Sequence, residues 1–204
     1  LFAKYKPNHF SALADHLKYL AEDPLTKNMN LSFLISAGVG GDTLNAETER
    51  TVNEYLKRNG CLYEVVKGYG MTELCATSVI SFRGANAIGS VGVPLVSNTI
   101  KIVDIDTGKE LSYNQTGEIW ISAPSAMLGY YKNQNETNEV LATDENGTRW
   151  VKTGDLGRMN SDGLLFHEGR IRRIYLTTFE GQPAKIFPGL IESSVKELPD
   201  IVDC

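Results

Sequence analysis

The chain has 204 residues, 42% hydrophobic and 22% charged, which is an ordinary globular composition with enough length for one or two domains that bury a core. Its 20 basic residues are outweighed by 25 acidic ones for a net charge of -5, and with no basic stripe to displace counterions this argues against a nucleic-acid partner. The apolar runs are short and interrupted, well under the length of a membrane span.

In the first block, residues 1–88, Ser11 reads as an N-cap before a helical pattern with Leu13, Leu17 and Leu20 on one face and Pro24 just beyond its end. The spacing then predicts a strand over 31–36, a helix over 45–59 terminated at Asn59-Gly60, and a strand over 62–66. That alternation implies an α/β arrangement, a parallel sheet flanked by helices. Residues 89–168 change character. Short strands over 98–103, 117–122, 149–152 and 164–167 are separated by turn signals at Asp106-Thr107-Gly108, Asn146-Gly147 and Asp162-Gly163, the pattern of a small antiparallel barrel or distorted sandwich. The polar run 133–138 reads as an exposed loop leading into a short helix. Residues 169–204 form a third block. It holds a polar connection, a strand around Lys185-Ile186-Phe187, and a helix opened by Pro188 with Leu190, Ile191, Val195 and Leu198 on its inner face.

The chemistry concentrates in a few strings. Gly68-Tyr69-Gly70-Met71-Thr72-Glu73 sets an aromatic ring, a hydroxyl and a carboxylate on a loop expected to leave the carboxyl end of a strand, where open α/β sheets bind ligands. Glycines at 68 and 70 permit positive φ and close approach of a ligand. The combination suits a magnesium nucleotide: Tyr69 for a base, Thr72 for a phosphate oxygen, Glu73 for a hard cation. Trp150 to Asp155 reads as a short strand stopped by a glycine turn, with Asp155 at its mouth able to accept two hydrogen bonds from a ribose diol. Gly169-Arg170-Ile171-Arg172-Arg173 offers Arg170 as a rigid fork of donors for phosphate or ribose. Each string has an ordinary structural alternative: a turn with an exposed tyrosine, an aspartate closing a turn, a solvated basic turn. All three together, in this order, would be an unlikely coincidence. The glycine-rich turn 36–42 is no P-loop, because no Lys-Ser or Lys-Thr pair follows it.

Taken together, these residues resemble the adenylate-forming enzymes, the family of acyl-CoA synthetases, peptide-synthetase adenylation domains and firefly luciferase. Tyr69 to Glu73 matches its Tyr-Gly-x-Thr-Glu signature, Thr153 to Asp155 its Thr-Gly-Asp, and Gly169-Arg170 the pair that opens its hinge. The runs Gly117-Glu118-Ile119-Trp120-Ile121 and Gly129-Tyr130-Tyr131 are similar to its Gly-Glu-Leu strand and Gly-Tyr turn. The resemblance implies that Gly40, Gly41 and Asp42 lie in the stretch whose backbone holds adenine, although the family usually has Pro where this chain has Asp42. It implies that Tyr69, with Gly70 beside it, stacks on adenine, that Thr72 touches the α-phosphate, and that Glu73 binds magnesium. Asp155 would grip the ribose hydroxyls, Arg170 the ribose or phosphate, and Arg172 would stand at the pivot, where the family usually has Asp or Lys. The implied activity is ATP-dependent activation of a small carboxylic acid as an acyl-adenylate, followed by thioester formation with coenzyme A.

The family's phosphate-cradling loop and its carboxyl-terminal catalytic lysine have no counterpart here: after Arg170 only Lys185 and Lys196 remain, neither beside a glycine. The chain is therefore expected to be a fragment, inactive by itself. An amino-acid-activating adenylation domain remains the alternative enzyme, and a non-catalytic AMP-binding module the alternative outside enzymes. Cys61, Cys75 and Cys204 are widely spaced, with only His9, His16 and His167 as potential co-ligands, and fit thiols in a reducing, cytoplasmic setting better than a zinc site. In the family the residues after the Thr-Glu pair wall part of the acid pocket, so the resemblance implies that the small side chains at Cys75, Ala76 and Thr77 leave room there and lean towards fatty or aromatic acids.

Overall fold

The computed structural model describes residues 2–41, 44–179, 182–186, 188, 191, 192 and 195. They fall in two units, the first made of Leu1–Gly70 and Ala76–Leu95, the second of Met71–Cys75 and Val96–Cys204.

The first unit holds helix α1 (Phe2–Tyr5), strand β1 (His9–Ala12), α2 (Ala14–Glu22), β2 (Ser36–Val39), α3 (Ala46–Arg58), β3 (Val66–Met71), β4 (Ala76–Ile80) and β5 (Val93–Pro94). Its sheet runs β1-β2-β3-β4-β5. β1 pairs parallel with β2, β2 parallel with β3, and β4 antiparallel with β5. The expected α/β character is therefore present. α3 shows why the chain turns helical where it does: the Asn45 side chain accepts from the Thr48 backbone N–H at 2.8 Å, Glu47 and Glu49 sit in the first turn, and Lys57 and Arg58 sit in the last. Its inner face carries Val52, Tyr55 and Leu56 into a core with Leu17, Leu31, Leu34, Ala37, Val39 and Val65.

Three expectations shift here. Ser11 is no helix cap: it lies in β1, opposite Gly38, and the helix begins at Ala14. Backbone pairing of residues 9–12 with 36–39 wins over a local capping signal. The strand expected over 31–36 begins only at Ser36. Leu31 and Leu34 are buried, but in a turn closed by the Leu34 N–H donating to the Leu31 carbonyl at 2.9 Å. The strand expected over 62–66 is displaced to Val66–Met71, because parallel pairing starts at Gly38 with Val66 and the preceding Leu62 is exposed. Gly68 to Met71 are therefore strand, not loop.

The second unit contains β6 (Thr99–Val103), β7 (Gly117–Ser122), α4 (Gln134–Val140), β8 (Leu141–Thr143), β9 (Arg149–Met159), β10 (Leu165–Arg170), β11 (Tyr175–Phe179) and β12 (Gln182–Ile186). An antiparallel sheet of order β10-β9-β7-β6, with β8 also on β9, makes its body. β7 alternates as a half-buried strand should, with Gly117, Ile119 and Ile121 inward, and it shares the core with Val151, Leu156 and Leu165. Among the described residues the sheet stays open and does not close into the expected barrel. β11 and β12 form a separate hairpin. The helix expected after Pro188 lies largely outside the described residues.

Candidate functional site

In the first unit, β2 leads into Gly40 and Gly41. Gly41 takes φ 80°, a left-handed conformation that favours glycine, and a Cβ on Gly40 would stand 3.4 Å from the Gly68 carbonyl oxygen. Asp42 lies outside the described residues. Tyr69 and Gly70 are in β3. The glycines of this strand do not serve positive φ as expected. A Cβ on Gly70 would fall 1.8 Å from the Ala76 carbonyl oxygen, so the glycine is required by the close approach of β4.

Directly before these residues stands Lys67, 4% exposed, whose ammonium donates to Glu49 Oε1 and to the Ala87 carbonyl oxygen at 2.8 Å. Glu49 Oε2 accepts from the Gly89 backbone N–H at 2.9 Å. Burial pushes the Lys67 ammonium below the ordinary lysine range, and the Glu49 carboxylate pulls it partly back. This pair ties α3, β3 and the 87–89 turn together.

In the second unit, Thr72–Leu74 forms a single 3₁₀ turn. The Met127 N–H donates to the Glu73 carbonyl at 2.8 Å, and the Ser125 hydroxyl to the Leu74 carbonyl at 2.8 Å. The Tyr130 hydroxyl donates to Glu73 Oε1 at 2.5 Å. Chiefly through this bond to a carboxylate, and secondarily through burial, the Tyr130 phenol is pushed up to about 12, while the charge of Arg172 acts in the opposite sense.

The Thr-Gly-Asp string does not end its strand. β9 continues to Met159, and residues 153–155 form a bulge: Glu118 pairs with Leu156 and Trp120 with Lys152, leaving Ile119 opposite all three. Gly154 takes φ 68° and donates its N–H to Glu118 Oε1 at 3.0 Å, while the Thr153 hydroxyl donates to the Ile119 carbonyl at 2.8 Å. The bulge turns Asp155 towards β10, where Arg170 is its register partner. Arg170 Nε lies 3.3 Å from Asp155 Oδ1, and His167 Nε2 3.8 Å from the same oxygen. Arg172 sits mid-way through a 3₁₀ turn, Ile171–Arg173, that follows β10.

Thr72, Glu73, Asp155, Arg170 and Arg172 thus share one unit, while Gly40, Gly41, Tyr69 and Gly70 belong to the other. Sequence reasoning missed three participants: Glu118, which pins the bulge, His167, which faces Asp155, and Tyr130, which holds Glu73. The Gly129-Tyr130 pair was visible as a turn, but nothing local pointed to its partner.

Among the described residues no three His, Cys, Asp or Glu side chains gather to cage a metal. Glu73 supplies one carboxylate with Oε1 taken by Tyr130, which fits magnesium, a cation that takes one or two protein carboxylates and fills its shell with substrate phosphates and water. Cys61 is buried and Cys75 exposed, both unbridged. Among the described residues no helix is long and apolar enough to cross a membrane.

Residues 1–131 match the family model described as AMP-binding enzyme. The chain is 33% identical over 187 residues to 4-coumarate–CoA ligase-like 2 of Arabidopsis thaliana, covering 87% of this chain and 32% of that protein. It is 35% identical over 167 residues to probable 4-coumarate–CoA ligase 1 of Dictyostelium discoideum, covering 81% of this chain and 29% of that protein. The chain therefore spans about a third of the length of these relatives. Its fold matches ATP-bound MatB from Rhodopseudomonas palustris with a TM-score of 0.82 at 24% identity, over 99% of this chain and 37% of that one. The motifs, the fold and the family match agree: the chain belongs to the AMP-binding, adenylate-forming enzyme family.

Proposed function

We propose that the whole protein is an AMP-forming acid–thiol ligase that activates a carboxylic acid with ATP and passes the acyl group to coenzyme A. The observation that carries this reading is the β9 bulge, which presents a buried carboxylate, Asp155, beside an exposed guanidinium, Arg170, in the unit that also holds Thr72 and Glu73. That set suits a ribose diol and a phosphate: acceptors for the hydroxyls, a cationic fork for the anion. The similarity to 4-coumarate–CoA ligases supports the same class and favours an aromatic, hydroxycinnamate-like acid, with a fatty acid as the other candidate.

In the first half-reaction the substrate carboxylate attacks the α-phosphorus, a new P–O bond forms, and the bond to pyrophosphate breaks. Thr72 donates to an α-phosphate oxygen, and Asp155 and Arg170 hold the ribose. Glu73 would hold magnesium, which supplies charge neutralisation on the phosphates. In the second half-reaction the thiol of coenzyme A loses its proton and adds to the acyl carbon, the acyl–phosphate bond breaks and AMP leaves, with rotation about Arg172 moving the residues that follow it. The protein's contribution is mostly positioning and charge.

The test is acid-dependent exchange of labelled pyrophosphate into ATP by the whole protein, screened over hydroxycinnamic, benzoic and fatty acids, then thioester formation on adding coenzyme A. Exchange without thioester would leave adenylation and remove the ligase reading. No exchange with any acid, alongside retained AMP binding, would favour a binding module.

A further inference from the structure

Glu73 sits in the three-residue turn Thr72–Leu74, and the segment around 125–130 supplies hydrogen-bond partners to it. Its Ser125 hydroxyl and Met127 N–H take the carbonyls of Leu74 and Glu73, each at 2.8 Å, and its Tyr130 hydroxyl takes Glu73 Oε1 at 2.5 Å. The segment is itself anchored. Arg149 Nη2 donates to the Met127 carbonyl at 2.7 Å, and the Tyr130 N–H donates to Thr137 Oγ1 at 2.9 Å, whose hydroxyl donates on to the Asn133 carbonyl at 2.8 Å. Thr137 is 7% exposed, and a Cβ on Gly129 would stand 2.8 Å from its methyl, so the backbone just before Tyr130 lies tight against α4.

The chemistry of the donor matters. A phenol fixes one carboxylate oxygen while leaving the carboxylate its charge; a lysine or arginine there would cancel it and compete with a cation. With Oε1 fixed, Oε2 is presented in one direction. We infer that Tyr130 is a positioning residue that orients Glu73 towards a hard divalent cation carried by the nucleotide, and that Thr137 sets Tyr130 in place. This rests on the reading of Glu73 as the metal carboxylate.

The experiment uses the whole protein with ATP and Mn²⁺ as a paramagnetic probe, reading bound metal by electron paramagnetic resonance and metal-free ATP binding by calorimetry. Tyr130→Phe is expected to weaken Mn²⁺ binding about 10-fold, as loss of a ligand's supporting partner does, with metal-free ATP affinity unchanged. Thr137→Val should act in the same direction and Thr137→Ser should restore binding, which keeps the inference testable if the tyrosine variant is unstable. If Glu73→Gln weakens Mn²⁺ binding and Tyr130→Phe and Thr137→Val do not, the positioning role is overturned and the reading of Glu73 stands. If none of the three does, both fall. Equal losses of Mn²⁺ and metal-free ATP binding in Tyr130→Phe would show a merely structural tyrosine and overturn the inference.

Discussion

Asp155 and Arg170 face each other across the β9–β10 ladder with Nε 3.3 Å from Oδ1, yet the carboxylate side chain is 7% exposed and the guanidinium 73%. The arginine reaches in from solvent to a carboxylate that the bulge has placed. In the whole protein Asp155→Ala should weaken ATP binding by about 1.5–3 kcal/mol through loss of charge-assisted hydrogen bonds. Titration calorimetry checks this, and unchanged affinity would remove Asp155 from the nucleotide site.

The pivot role proposed for Arg172 predicts a split between half-reactions. Proline at 172 stiffens the 3₁₀ turn Ile171–Arg173 by locking φ, which hinders a rotation more than a static site. Arg172→Pro should spare pyrophosphate exchange and depress thioester formation. Equal losses in the two assays would mean that the chain turns elsewhere.

Gly70→Ala tests whether the signature glycine serves the sheet. A methyl group 1.8 Å from the Ala76 carbonyl oxygen cannot be accommodated without moving β3 from β4. A loss of about 1–3 kcal/mol is expected from such overpacking. A urea midpoint at the wild-type value would contradict it.

Glu49→Gln should be costlier than a surface change, because it leaves the Lys67 ammonium buried without its counter-charge. Breaking a buried pair in this way costs about 3–5 kcal/mol, whereas replacing both partners by apolar side chains of similar volume recovers much of it. A double-mutant cycle in urea, Glu49→Leu with Lys67→Met, distinguishes the two. Additive losses would mean that the pair is not coupled.

The β8–β9 turn carries an acid-sensitive latch. Asp144 accepts from the Trp150 indole N–H at 2.9 Å and from the Thr148 backbone N–H at 2.9 Å, and these bonds, the indole's first, hold its carboxyl below the ordinary range. A depressed folded-state value means that the contribution is complete above the unfolded value and disappears as pH falls through the folded one. Trp150 emission should therefore stay constant at neutral and mildly acidic pH and change only below the usual aspartate range. A transition at or above that range would exclude Asp144 as its source.

Short-range patterns were legible in the sequence wherever local chemistry and tertiary pairing agree. Asn45 and Asn59-Gly60 bracket α3 as written, the alternation in Gly117–Ser122 is the half-buried β7, and Asn146-Gly147 closes the β8–β9 turn. The strings around Tyr69, Asp155 and Arg170 were visible too, because family signatures are contiguous. What only the tertiary structure decided is what those strings do with the backbone. Ser11 became strand because a parallel neighbour at Gly38 satisfies its backbone, Gly70 answers to Ala76, and Thr153-Gly154-Asp155 became a bulge because Glu118 offers a carboxylate to the Gly154 N–H. The bond from Tyr130 to Glu73 spans 57 residues, and no periodicity, cap or turn signal reaches that far. Local steric and hydrogen-bonding preferences act over a few residues, whereas register, bulges and side-chain partners are set by pairings between distant segments that exist only once the sheet has formed.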